Sequence, residues 1–130
     1  ATDLSMKVLT KAKQGIYTAD EIKDLPAKWK DKYLVPTADG RFKITEKIHQ
    51  EVIFRPGNLM EPFQYKKPFD LIFCRNVMIY FDAPTKATLV NKFYNWTAPG
   101  GYLFIGHSES ISTTNAPYTY IQPAIYQRRS

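Results

Sequence analysis

The chain is poor in the residues that staple or metallate a fold. Its 130 residues include a single cysteine, Cys74, which excludes an internal disulfide and a cysteine-built metal cluster. No apolar run approaches the ~20 residues a membrane-spanning helix needs, and no positively charged leader with an apolar core stands at the start. The expectation is a cytoplasmic protein, with Cys74 as a small hydrophobic thiol in a reducing compartment. The net charge of +6 includes lysines spread over Lys7 to Lys47. No arginine-rich tract or nucleic-acid motif accompanies them, so they read as a solvated basic face that also suits an acidic protein partner.

What is present is concentrated in two segments. Leu71 to Cys74 is an apolar run that ends abruptly at Arg75 and Asn76. That pattern predicts a buried parallel strand delivering polar groups at its carboxyl end, where open α/β sheets bind ligands. The same transition recurs at Gly101-Tyr-Leu-Phe-Ile-Gly-His-Ser-Glu109. Two such strands point to a shared ligand-binding edge.

Around these segments the pattern predicts a mixed α/β chain. Ser5 caps a helix through about Lys13, with Val8, Leu9 and Ala12 on one face, and Gly15 ends it. Thr18-Ala-Asp-Glu21 has capping-box spacing and predicts a short helix over Asp20 to Asp24; Pro26 opens another through about Lys32. Tyr33 to Thr45 reads as a hairpin centred on Asp39-Gly40, with Ile48 to Phe54 as a third strand. Beyond the strand Asp70 to Cys74, Asp82 caps a helix running to about Trp96, with Leu89, Val90, Phe93 and Tyr94 as its packing face. Pro99-Gly-Gly turns into a strand over Tyr102 to Ile105, and Tyr118 to Ile121 and Ala124 to Gln127 close the sheet as an antiparallel edge.

Phe73-Cys-Arg-Asn-Val-Met-Ile-Tyr-Phe-Asp82, followed by Pro99-Gly-Gly-Tyr-Leu-Phe-Ile-Gly-His-Ser-Glu109, resembles the signature of CheR-type chemoreceptor glutamate methyltransferases. Ala1-Thr-Asp-Leu-Ser5, Ala12 to Gly15, Tyr17 and the pair Asn58-Leu59 are similar to further segments of that family, in order and spacing. The resemblance implies a partial Rossmann-like sheet that binds S-adenosyl-L-methionine and releases S-adenosyl-L-homocysteine. It implies a core over residues 1–32 and 56–130 with a small antiparallel β-subdomain inserted at 33–55. In that family a helical domain and a glycine-bearing cofactor loop precede the Ala-Thr-Asp-Leu-Ser element. Gly15, Gly40, Gly57 and Gly100-Gly101 are all assigned to later turns, so the chain reads as the C-terminal half of a larger enzyme. The implied partner is the cytoplasmic domain of a chemoreceptor. In some members of that family a comparable β-subdomain also takes up the receptor's C-terminal tail peptide by strand addition. The residues themselves read as a hairpin that covers an apolar patch, its edge blunted by Pro36 and lysines.

The implied chemistry needs no general base. A glutamate, with an ordinary pKa of about 4.3, is already ionised at neutral pH, and displacement at a sulfonium methyl then depends on alignment. Neither His49 nor His107 is read as catalytic. By resemblance, Asp3 accepts the ribose hydroxyls, Asn58 and Leu59 bracket the adenine, Arg75 and Asn76 contact the cofactor, and Tyr80 lies beside the reacting methyl. The residues themselves leave alternatives: Asp3 as a helix-start acid, Asn58 as a turn residue, Arg75 bridging Asp70, Tyr80 packing with Ile79 and Phe81. Ser108 and Glu109 divide between substrate contact and loop structure. Two rival functions stand beside the methyltransferase reading: a related enzyme with another substrate, and a non-catalytic module that holds a receptor peptide. Sequence upstream of Ala1 discriminates between them.

Overall fold

The computed structural model describes residues 1–62, 64–112 and 116–129 and divides into two units, Ala1–Glu61 and Pro62–Ser130. In the first unit, β1 (Thr2–Asp3) leads directly into α1 (Met6–Gln14). The Ser5 hydroxyl accepts from the Val8 amide at 3.3 Å, and Gly15 closes the helix at φ 63°, a left-handed conformation that glycine adopts without Cβ strain. Leu9 is buried, whereas Val8, expected on the same face, is exposed. The chain continues through β2 (Ile16–Tyr17), α2 (Ala27–Tyr33), β3 (Leu34–Pro36), β4 (Phe42–Ile44), α3 (Glu46–His49) and β5 (Arg55–Pro56).

Two expectations for this unit are corrected. Asp20 to Asp24 forms consecutive turns, not a helix, with i→i+3 bonds such as Lys23 N–H to Asp20 O at 3.3 Å. The Thr18–Glu21 capping box does form: each residue's backbone N–H is taken by the other's side chain, at 2.9 and 3.2 Å. Pro26 disfavours the helical region for Leu25 before it, so the turns do not continue into a helix. Ile48 to Phe54 is not a strand either, because Ile48 and His49 complete α3. The hairpin's third strand is Ile16–Tyr17, which pairs antiparallel with β4 to give the order β2-β4-β3. That sheet therefore draws on residues outside 33–55. The Asp39-Gly40 turn is as expected, with Gly40 at φ 79° and Thr37 N–H bonded to Arg41 O at 2.8 Å.

The second unit is a four-stranded sheet of order β6-β7-β9-β8. β6 (Phe69–Cys74) leads through a 3₁₀ turn (Met78–Tyr80) to α4 (Ala83–Trp96), then to β7 (Thr97–Ile105), β8 (Tyr118–Gln122) and β9 (Ile125–Arg128). β6 and β7 are parallel, and β9 lies antiparallel between β7 and β8. Asp82 caps α4 by accepting from the Thr85 amide at 2.9 Å, with Pro84 in the first turn. Leu89, Val90 and Phe93 are buried, as are Leu103, Ile105 and Cys74 on one face of the sheet. Each large apolar side chain fully buried here contributes about 1.5–3 kcal/mol. On the alternate face Leu71 and Phe73 are exposed, so β6 is not the doubly buried strand that was expected. Nor does Pro99-Gly-Gly separate helix from strand. The strand begins at Thr97, and residues 98–101 form an irregularity between the pairs Phe69↔Thr97 and Leu71↔Tyr102. Gly101 permits it, since a Cβ there would lie 2.9 Å from the Asp70 carbonyl.

The junction of α4 and β7 is pinned by a buried polar cluster. Fully buried Thr97 donates its hydroxyl proton to Phe93 O at 2.7 Å. Tyr118 must then donate to Thr97 Oγ1, 2.6 Å away. Arg128 donates to the carbonyls of Tyr94 and Thr97, both at 2.8 Å, and lies 4.5 Å over the Tyr94 ring. This places a cation at the negative end of α4. Thr97→Val should therefore leave the Tyr118 hydroxyl buried without an acceptor and lower stability by about 1–3 kcal/mol in urea denaturation. Adding Tyr118→Phe should return much of that loss; a single mutant of unchanged stability would refute the pinning role.

Candidate functional site

Each unit brings sequence-predicted residues to the carboxyl end of a parallel strand pair. In the first unit β1 and β5 are parallel, with Asp3 opposite Pro56. Asp3 is the last residue of its strand, not a residue after it, and Gly57 N–H bonds to Asp3 O at 3.0 Å. The turn carrying Asn58 and Leu59 therefore leaves β5 beside Asp3. Asp3 Oδ1 accepts the Ser5 amide at 2.7 Å, and among the described residues no second partner meets the carboxylate. It remains an exposed acceptor held at a fixed angle. Asn58 Oδ1 accepts from the Met60 amide at 2.9 Å, an Asx turn that leaves the side-chain NH₂ as the outward donor. Leu59 is half-buried next to it. An anchored carboxylate and an anchored side-chain amide thus stand at adjoining strand ends.

In the second unit the register Cys74↔Ile105 brings two loops side by side, 75–80 after β6 and 106–109 after β7. Arg75 Nη2 lies 3.3 Å from His107 Nδ1, and among the described residues no ion pair joins Arg75 to Asp70. Asn76 adopts φ 60°, a left-handed backbone that asparagine tolerates better than most residues. Tyr80 is 80% exposed on the 3₁₀ turn, so it does not pack into the core as its alternative reading required.

Glu109 is the residue whose role the sequence left open. Its Oε2 accepts the amides of Gly106 at 2.7 Å and Asn76 at 3.0 Å, while Oε1 accepts that of Ile79 at 3.2 Å. Gly106 is needed for this approach: a Cβ there would collide with the Asn76 side-chain oxygen and lie 2.7 Å from Glu109 Oε2. The available signal was a glycine closing β7 with a carboxylate three residues on, but its partners lie up to 33 residues away.

The sequence profile of the family described as "CheR methyltransferase, SAM binding domain" matches residues 1–126. The chain is 48% identical over 129 residues to a chemotaxis protein methyltransferase of Borreliella burgdorferi, covering 98% of this chain and 45% of that protein. It is 42% identical to chemotaxis protein methyltransferase 2 of Vibrio cholerae over 86% of this chain and 40% of the relative. It is 35% identical to the chemotaxis protein methyltransferase of Escherichia coli over 97% and 46%. The chain thus spans about half the length of the curated relatives it matches.

Cys74 lies at the root of the 75–80 loop. Burial, reinforced by the nearby Glu109 charge, pushes its thiol from an ordinary value of 9.0 up to about 11. A two-unit rise lowers the thiolate fraction near pH 8 roughly a hundredfold, and the thiolate is the reactive form. Alkylation of the native chain at pH 8 should be at least about a hundredfold slower than in denaturant. Equal rates in native and denatured protein would show that the strand end is open.

Proposed function

Because the chain belongs to the CheR methyltransferase SAM-binding domain family, we propose that it is the cofactor-holding, catalytic portion of a protein-glutamate O-methyltransferase acting on chemoreceptors in the cytoplasm. The observation that supports this reading is the family profile's match over residues 1–126, which spans the segment after β6 carrying Arg75, Asn76 and exposed Tyr80. On this reading β6 and β7 belong to a Rossmann-like sheet, and β2-β4-β3 with its turn is an inserted β-subdomain. The curated relatives are about twice as long, so the activity belongs to a longer protein carrying this chain.

Bound S-adenosylmethionine supplies an electrophilic methyl on a sulfonium. The residues present fit its nucleoside end: Asp3 offers a carboxylate oxygen to the ribose hydroxyls, and Asn58 and Leu59 hold the adenine between an amide donor and an apolar side chain. In the second unit, Arg75 and Asn76 are the residues that the resemblance assigns to the cofactor. Tyr80 presents its hydroxyl toward the reacting centre, orienting the donor without taking up a proton. The substrate carboxylate is already ionised at neutral pH, so alignment is the main contribution asked of the protein.

In the full-length protein, Asp3→Ala should weaken cofactor binding by one to two decades, since hydrogen bonds to a charged acceptor contribute about 1.5–3 kcal/mol. Tyr80→Phe should instead lower single-turnover methylation of a receptor fragment more than it lowers cofactor affinity. Unchanged affinity in the first variant and normal turnover in the second would leave both residues structural.

The inserted sheet is proposed to dock a receptor's C-terminal tail by strand addition at an edge. Its two edge strands are β2 and β3, and Pro36 removes one donor from β3. Removing the turn Ala38–Gly40 should weaken binding of a tail peptide while leaving cofactor affinity unchanged. Equal peptide affinity before and after the deletion would reduce the sheet to scaffolding.

A further inference from the structure

We propose that Glu109 is a positioning residue for the transfer step, locking the Arg75–Tyr80 loop to the end of β7; this rests on the methyltransferase reading above. The side chain is half-buried and accepts three backbone amides from two different loops. Charge-assisted bonds of this kind are about twice as strong as neutral ones. With both oxygens so engaged, Glu109 faces the backbone and is not a substrate-contacting acid.

Each amide fixes something distinct. The Asn76 amide belongs to a residue at φ 60°, a conformation that persists where the surroundings over-determine it. The Ile79 amide lies in the 3₁₀ turn immediately before Tyr80, so this bond sets the direction in which Tyr80 leaves the loop. The Gly106 amide anchors the carboxylate to the strand that registers Ile105 against Cys74. Tyr80 itself is 80% exposed and has no packing of its own to hold it. Its placement therefore depends on the turn beneath it, and the turn depends on Glu109.

Glu109→Gln tests this in the full-length protein, because it conserves size but turns an NH₂ toward amides that need an acceptor. Hydrogen exchange at Asn76 and Ile79 should accelerate about tenfold or more, the loss of one such bond. Exchange in the β7–β9 ladder around Leu103 and Tyr126 should not change. Turnover at saturating cofactor should fall at least about tenfold, with a smaller effect on cofactor affinity, a split that a purely structural role would not produce. Gly106→Ala, which pushes a methyl into the same clamp, should reproduce both effects and serves if the first variant does not fold. Unchanged exchange at Asn76 and Ile79, or faster exchange with normal turnover, would overturn the positioning role. A wild-type protein that takes up no S-adenosylmethionine would overturn the functional reading, and the positioning role with it, while the exchange pattern would still report the clamp.

Discussion

Parallel pairing of β6 with β7 is the constraint on which the second unit depends. Two parallel neighbours cannot be joined by a tight turn, because the chain must return to the starting end of the sheet before the second strand begins. Here α4 makes that return, and its two ends are secured by different chemistry. Asp82 accepts an amide at the start, while at the finish Thr97 and Arg128 donate to backbone carbonyls and Tyr118 donates to Thr97. Once the register Cys74↔Ile105 is set, both strands discharge their polar residues at one edge. The nearness of loops 75–80 and 106–109 follows from topology, not from attraction between their side chains.

That edge is then stiffened by a single carboxylate. A loop with exposed polar side chains would ordinarily be drawn from the least stable part of a fold. Glu109 counters this by accepting two amides of the other loop, those of Asn76 and Ile79, and one of its own, that of Gly106. A glycine at 106 is part of the same solution, since any side chain there would occupy the carboxylate's place.

Much of this was legible in the sequence, and what was not has physical causes. Ser5, Gly15, Asp82 and the Asp39-Gly40 turn act through bonds spanning a few residues, so local chemistry is enough to read them. The strand-end residues Arg75 and Asn76 were visible as an abrupt change from apolar to polar. β2 was not visible, because two residues show no periodicity and Ile16–Tyr17 becomes a strand only through β4. The run Val52-Ile-Phe54 has strand composition, yet α3 takes Ile48 and His49 first, starting on Glu46 at its favourable amino end. Glu109 escaped for the same reason as β2: its meaning lies in partners about 30 residues away.

The anchoring of the candidate residues bears on how such a site would act. Asp3 and Asn58 each spend one oxygen on a neighbouring amide, so their orientations are set before any ligand arrives. Glu109 holds the backbone of the neighbouring loop at Asn76 and at Ile79, the residue before Tyr80. Side chains already ordered lose less freedom on binding, by about 0.5–1.5 kcal/mol for each one that would otherwise be immobilised. For a reaction whose nucleophile is ionised in advance, acid–base groups add little and geometry becomes the main variable. A site built for that task should carry few titrating groups and many fixed ones. At the two strand-end edges the acidic residues, Asp3 and Glu109, accept backbone amides, and Cys74 is kept protonated by burial.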